Sequence, residues 1–180
     1  MSAKRQVALL RGINLGRNKR IAMADLRKLV EGLGYEEVRT HLQSGNVVFT
    51  TADSPARAAK AIEGELDAKL GMDVRVLIRT DRELAGVVER NPLGDVMTDP
   101  TRLFVTFLSA KPDARRVRGI DPSKFVPDVF RAGDREVYVW CPNGYAGTKL
   151  THAFWENQLG LTGTARNWRT VTRLLELARD

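Results

Sequence analysis

Apolar residues along the chain fall into two kinds of spacing. Val7-Ala8-Leu9-Leu10 and residues 103–108 are short, continuous apolar runs, the pattern of strands buried on both faces. Leu26, Leu29, Val30 and Leu33 instead recur at helical spacing, with Gly34 as the stop. Residues 38–42 and 47–51 read as two β runs around Ser44-Gly45-Asn46. Gly-Asn is a hairpin dipeptide because both residues tolerate positive φ. Ser54-Pro55 opens a second helix, with Ser as N-cap and Pro at the first position. Ala58, Ala59, Ile62, Leu66 and Leu70 form its apolar face, and Gly71 ends it. Residues 74–78 are a fourth strand. The order is β-α-β-β-α-β, the split βαβ arrangement.

The second half begins with a short helix over residues 82–89, stopped by Asn91-Pro92. A strand at 103–108, a basic helix at 111–119 and a loop at 120–127 follow. Residues 129–131 and 137–140 form a hairpin turning near Gly133-Asp134. Helices are expected at 148–159 and 167–179, the last burying Trp168, Val171, Leu174, Leu175 and Ala178. The expected fold is α+β. Its first half is ferredoxin-like βαββαβ, and a degenerate, related second half ends in a C-terminal helix. Residues 1–90 and 91–180 are the expected subdomains, with the hinge at 91–101, where Asn, Pro, Gly and Asp cluster. Strands apolar on both faces need a cover on the side away from their helices. The other half of the chain or a second copy in a homodimer would provide it.

Composition narrows the classes. With 180 residues and 43% apolar content the chain can bury a core. Cys141 is the single cysteine, so an internal disulfide and a four-cysteine zinc site are excluded. The first apolar run is too short for a secretion signal or a membrane span. These features point to a cytoplasmic protein. The net charge of +7 attracts nucleic acid or anionic ligands at long range. It is not segregated: residues 1–90 carry 16 basic and 12 acidic groups, and residues 91–180 carry 13 and 10.

Candidate chemistry follows from chain direction. In a βαββαβ unit the first two strands run the same way, so the loop after the first strand and the tip of the first hairpin share one sheet edge. This gathers Arg11, Asn14, Gln43, Ser44 and Asn46, with Gly12 and Gly16, near a helix N-terminus. A cation, amides, a hydroxyl and unpaired N–H groups suit a phosphate or carboxylate. The same residues are equally suited to making turns and capping backbone groups. Residues 142–149 precede a helix and carry Gly144, Gly147 and Lys149. Their spacing departs from G-x-x-x-x-G-K-[ST], and Thr148 precedes Lys149, which excludes a nucleotide-hydrolase loop and leaves an anion contact by Lys149. Arg166 and Asn167, at the last helix start, can cap it or reach a ligand. His41 and His152 are the only histidines and have no carboxylate cluster at ligand spacing, so no metal and no cofactor are expected. Cys141 reads as a buried apolar group. Base stacking on the sheet is disfavoured, because the first strand has no aromatic and the third has only Phe49. Phosphate contacts by residues 17–20, or by Lys111, Arg115, Arg116 and Arg118, keep nucleic acid as a partner.

Taken together, Ala8-Leu9-Leu10-Arg11-Gly12-Ile13-Asn14-Leu15-Gly16, Met23-Ala24-Asp25-Leu26-Arg27 and Gln43-Ser44-Gly45-Asn46-Val47-Val48-Phe49 form a recognisable set. Asn143-Gly144-Tyr145, Thr148-Lys149-Leu150 and Arg166-Asn167-Trp168-Arg169-Thr170-Val171 complete it. The sequence resembles the bacterial family of domain of unknown function 1697 over nearly its whole length. The resemblance implies a cytosolic α+β protein with ferredoxin-like halves, and it carries over no catalytic residue. A small anionic ligand or nucleotide at the polar edge is the leading expectation and nucleic acid at the basic loops the second. An enzyme of unknown class comes third, because the edge offers no clearly positioned titratable group.

Overall fold

The computed structural model describes residues 2–180. Residues Lys4–Leu10 (β1), Met23–Gly32 (α1), Glu36–His41 (β2), Asn46–Thr51 (β3), Pro55–Leu70 (α2), Val76–Thr80 (β4) and Asp81–Glu89 (α3) make up the first series of elements. Leu103–Leu108 (β5), Ala114–Arg118 (α4), Val129–Ala132 (β6), Glu136–Trp140 (β7), His152–Leu159 (α5), Gly163–Asn167 (β8) and Trp168–Arg179 (α6) make up the second. The strands form two four-stranded antiparallel sheets, ordered β2-β3-β1-β4 and β6-β7-β5-β8.

The two series are the same fold written twice. Each sheet places its first strand third in order and its fourth strand beside it. The local hydrogen bonds recur as well. Leu10 N–H donates to Gly45 O and Arg11 N–H to Arg75 O, both at 2.9 Å. Leu108 N–H donates to Arg135 O and Ser109 N–H to Thr162 O, again at 2.9 Å. Each series also ends in a helix that follows its last strand directly. The second half is therefore more regular than its sequence suggests, because β8 closes the βαββαβ pattern. The expected 167–179 helix corresponds to α6, whereas the expected 148–159 helix is shorter, with Thr151 as its N-cap.

By compactness the chain divides into residues 1–85 with 174–180, and residues 86–173. This boundary falls inside α3, upstream of 91–101, and places the end of α6 with the first unit. In the first unit, Leu26, Leu29 and Val30 of α1 and Ala58, Ile62 and Leu66 of α2 pack on Ala8, Leu10, Val47, Phe49, Val76 and Ile78. Ser54 Oγ accepts from Arg57 N–H at 3.3 Å, and Gly71 ends α2 in the left-handed region. In the second unit, Trp155 and Leu159 of α5 share a core with Leu108, Phe130, Val137 and Val139. Val7 and Leu9, on the opposite face of β1, are also fully buried.

The first hairpin differs from its expected turn. Positive φ occurs at Leu42 (60°) and Gly45 (82°), not at Asn46. Asn46 is the first residue of β3 and is fully buried. Its side-chain N–H groups donate to His41 O at 2.7 Å and Ser44 Oγ at 3.0 Å, which closes the turn from inside.

Candidate functional site

The loop after β1 and the tip of the β2–β3 hairpin meet at one edge of the first sheet. Asn14 joins them. Its Nδ2 donates to Gln43 O at 2.7 Å and to Ile21 O at 3.0 Å, while its Oδ1 accepts from Ile21 N–H at 2.9 Å. Asn14 holds φ at 54° to do this; asparagine tolerates the left-handed region better than most side chains. Asn14 N–H also donates to Lys19 O at 2.9 Å, closing a loop whose tip carries Arg17, Lys19 and Arg20. Beneath it, Ile13 is buried against Gly45.

The expected site residues thus divide by task. Asn14 and Asn46 direct their amides into the loops and build the edge. Ser44 Oγ accepts from Asn46, and Gln43 contributes its carbonyl oxygen to Asn14. Arg11 is half-buried, and its backbone N–H is taken by Arg75 O. Outside this framework lies a shallow groove of about 450 Å³, lined by Asn14, Arg20, Ile21, Ala22 and Gln43. Ala22 is the N-cap of α1 and has no side-chain oxygen to satisfy the first N–H groups. The Arg20 Nε–H donates to Gly16 O at 2.9 Å, anchoring an exposed guanidinium at this loop. Arg20 is expected only within the basic 17–20 loop, as a nucleic-acid contact, and Ala22 is not among the expected site residues. The available signal is a cation three residues before a helix whose N-cap position is apolar.

Lys149, Arg166 and Asn167 belong to the second unit. Lys149 is exposed and lines a groove of about 150 Å³ with Lys124, Asp128 and Asn143. Asn167 Oδ1 accepts from Thr170 N–H at 2.9 Å in the first turn of α6. Arg166 is buried on β8, donating to Thr164 Oγ1 at 2.8 Å and Ala165 O at 2.9 Å. Burial holds its guanidinium down to about 10. Arg79 occupies the matching position on β4: each arginine pairs with a valine of its unit's first strand, Val7 or Val105, and donates to the carbonyl of the residue before it.

The model of the family described as "Protein of unknown function (DUF1697)" matches residues 3–138. The chain belongs to this family. The conserved bacterial protein SP0830 from Streptococcus pneumoniae has a similar solved structure, with a TM-score of 0.77 at 22% identity. That match covers 98% of this chain and 99% of the other, and at this identity it speaks for the fold alone. No curated protein matches the sequence.

In this DUF1697 member the titratable groups of the second core are shaped by burial. Desolvation pushes the Cys141 thiol up to about 11, with the Thr148 hydroxyl acting against it. It also raises the Tyr145 hydroxyl, which accepts from His152 N–H at 2.9 Å. A buried, protonated thiol is a packing group rather than a nucleophile. Among the described residues no three His, Cys, Asp or Glu side chains gather as a metal site. Among them, no helix is long and apolar enough to cross a membrane.

Proposed function

We propose that this DUF1697 protein is a cytoplasmic binder of a small anionic ligand, a phosphate-bearing molecule of nucleotide type, at the groove beside Asn14, Arg20 and Gln43. The uncapped amino terminus of α1 opening beside the Arg20 guanidinium carries this reading. Unpaired N–H groups at a helix start and a neighbouring guanidinium both favour an anion. The surrounding sequence supports it. Residues 11–24 hold Arg11, Arg17, Lys19 and Arg20 and no carboxylate, and residues 38–52 hold none either. Asn14, Ser44 and Asn46 set the two loops; Arg11, Arg20 and the outer face of Gln43 make the contact. Lys149, together with Lys124, offers a separate cationic surface in the second unit. No group at the edge is placed as an acid or base, so binding without catalysis is the economical reading.

The test is a set of thermal melts with inorganic phosphate and a nucleotide panel, on the wild type and Arg20→Ala. A ligand at a hundredfold its Kd adds about 2.7 kcal/mol, which at this chain length raises Tm by roughly 5–10 °C. Arg20→Ala abolishes most of that rise without lowering the unliganded Tm. Melting that ignores every phosphate-bearing compound rejects the proposal.

A second reading has its own observation. Arg115, Arg116 and Arg118 are all exposed on α4, a cationic cluster suited to nucleic-acid phosphates. Retention on RNA or DNA that falls steeply with salt favours it, and retention insensitive to salt argues against it.

A further inference from the structure

The end of the first sheet opposite the loop edge holds a cavity of about 400 Å³, lined by Ser2, Lys4, Gln6, Thr51, Ala52, Asp53, Ser54, Pro55 and Thr80. It lies where the helix-covered face of the sheet turns polar. Ala8, Phe49 and Ile78 are core residues. One step toward the start of β1, Gln6 lies directly across from Thr80 on β4, and Lys4 directly across from Thr51 on β3. Because strand side chains alternate between faces, Gln6, Thr51 and Thr80 share this face with the core.

Gln6 is 1% exposed. Its Nε2 donates to Asp53 O at 2.8 Å, which fixes the orientation of the amide. The other end of that amide, Oε1, is buried and accepts from nothing. A buried acceptor left unmade is destabilising, and methionine or leucine would fill the space without that penalty. The neighbouring hydroxyls are distinguishable. Thr80 is already committed: its Oγ1 donates to Glu83 Oε2 at 3.3 Å and accepts from Glu83 N–H at 3.1 Å, as the cap of α3. Thr51 Oγ1 accepts from Asp53 N–H at 3.1 Å and keeps its own proton to donate. Two residues of the lining thus carry an acceptor without a partner, the buried Gln6 Oε1, and a donor, the Thr51 hydroxyl.

The charges around it do not select an anion. Ser54 already caps α2, and the Asp53 carboxylate stands in the lining, tied to Tyr35 Oη at 2.8 Å and Arg57 at 3.1 Å. We propose that this cavity is a second binding site, independent of the loop edge. It takes a small neutral molecule that presents an N–H donor beside a hydrogen-bond acceptor, as a primary amide, a lactam or the edge of a nucleobase does. The ligand N–H meets Gln6 Oε1, and its carbonyl accepts from Thr51.

The experiment is an NMR titration of the full chain, labelled with ¹⁵N, using acetamide, 2-pyrrolidinone and uracil. N,N-dimethylacetamide and acetate serve as comparisons. The site predicts saturable shifts of the Gln6 side-chain amide and of backbone amides 51–55. N,N-dimethylacetamide, which lacks the N–H, binds about tenfold more weakly, the loss of one buried hydrogen bond. Gln6→Met and Thr51→Val each weaken acetamide binding by a similar factor, and the comparison of ligands on the wild type stands even if one variant does not fold. Equal responses to acetamide and its dimethyl analogue, no response to any donor, or a crystal structure in which an ordered water alone satisfies Gln6 Oε1 in the presence of these compounds overturns the proposal.

Discussion

Gly45→Ala is the sharpest structural probe of the edge, because the turn closes directly on the loop after β1. Two costs add. Gly45 sits at φ +82°, where an L side chain costs about 1–2 kcal/mol. A Cβ there would also lie 2.4 Å from Ile13 Cδ1, 2.8 Å from Ile13 Cγ1 and 3.0 Å from Leu10 Cβ. Ile13 and Leu10 are 1% and 0% exposed and have little room to yield, so overpacking adds about 1–3 kcal/mol. The expected loss is roughly 2–5 kcal/mol. Gly34→Ala is the control. Its φ is +81°, and nothing lies within 4 Å of the new methyl, so it carries the backbone cost alone. Urea unfolding of both variants should separate them by about 1–3 kcal/mol. Ile13→Val, which removes the Cδ1 atom, costs about 0.5–1.5 kcal/mol in the wild type. It should cost less, or stabilise, when combined with Gly45→Ala, a coupling expected of residues in direct contact. Equal losses for the two glycine variants, or strict additivity of Ile13→Val with Gly45→Ala, would refute the close packing of tip and loop.

Two further outcomes follow from local chemistry. Ser54→Ala removes the oxygen that receives Arg57 N–H at the start of α2 and should lower stability by about 1 kcal/mol in urea unfolding. Cys141 should resist a thiol reagent in the native protein and react once the chain is denatured. Because folding raises its pKa from 9.0 to about 11, its contribution to stability is complete below pH 9 and is lost as pH rises toward 11. Cys141→Ala should flatten that alkaline decline, and an unchanged slope would exclude the thiol as its source.

What could be read from the chain beforehand was whatever local rules decide. Ser54-Pro55 and Gly71 delimit α2 because capping and left-handed φ are properties of a few neighbouring residues. The meeting of residues 11–16 with 43–46 was also legible, since strand direction alone dictates it. β8 was not. Its sequence, Gly163-Thr164-Ala165-Arg166-Asn167, has little apolar content, and its strand conformation comes from pairing with β5. The order of the first half was the one available hint, because a repeat of it requires a strand after α5. Dipeptide preference puts Asn46 in the turn, but pairing, burial and two hydrogen bonds to the turn assign it to β3. The place of Arg20 beside α1, rather than only in a basic loop, and the role of Gln6 are not legible for a related reason. An exposed arginine and a glutamine in a strand are unremarkable until the fold sets one beside a bare helix start and places the other in the lining of a cavity with its buried oxygen unpaired.

The most direct measurement of the central claim is an NMR titration of the ¹⁵N-labelled chain with inorganic phosphate and then a nucleotide. Anion binding at the edge predicts saturable shifts grouped in residues 14–24 and 42–46, lost in Arg20→Ala. Shifts that fail to saturate, that gather elsewhere, or that survive the loss of Arg20 would contradict it.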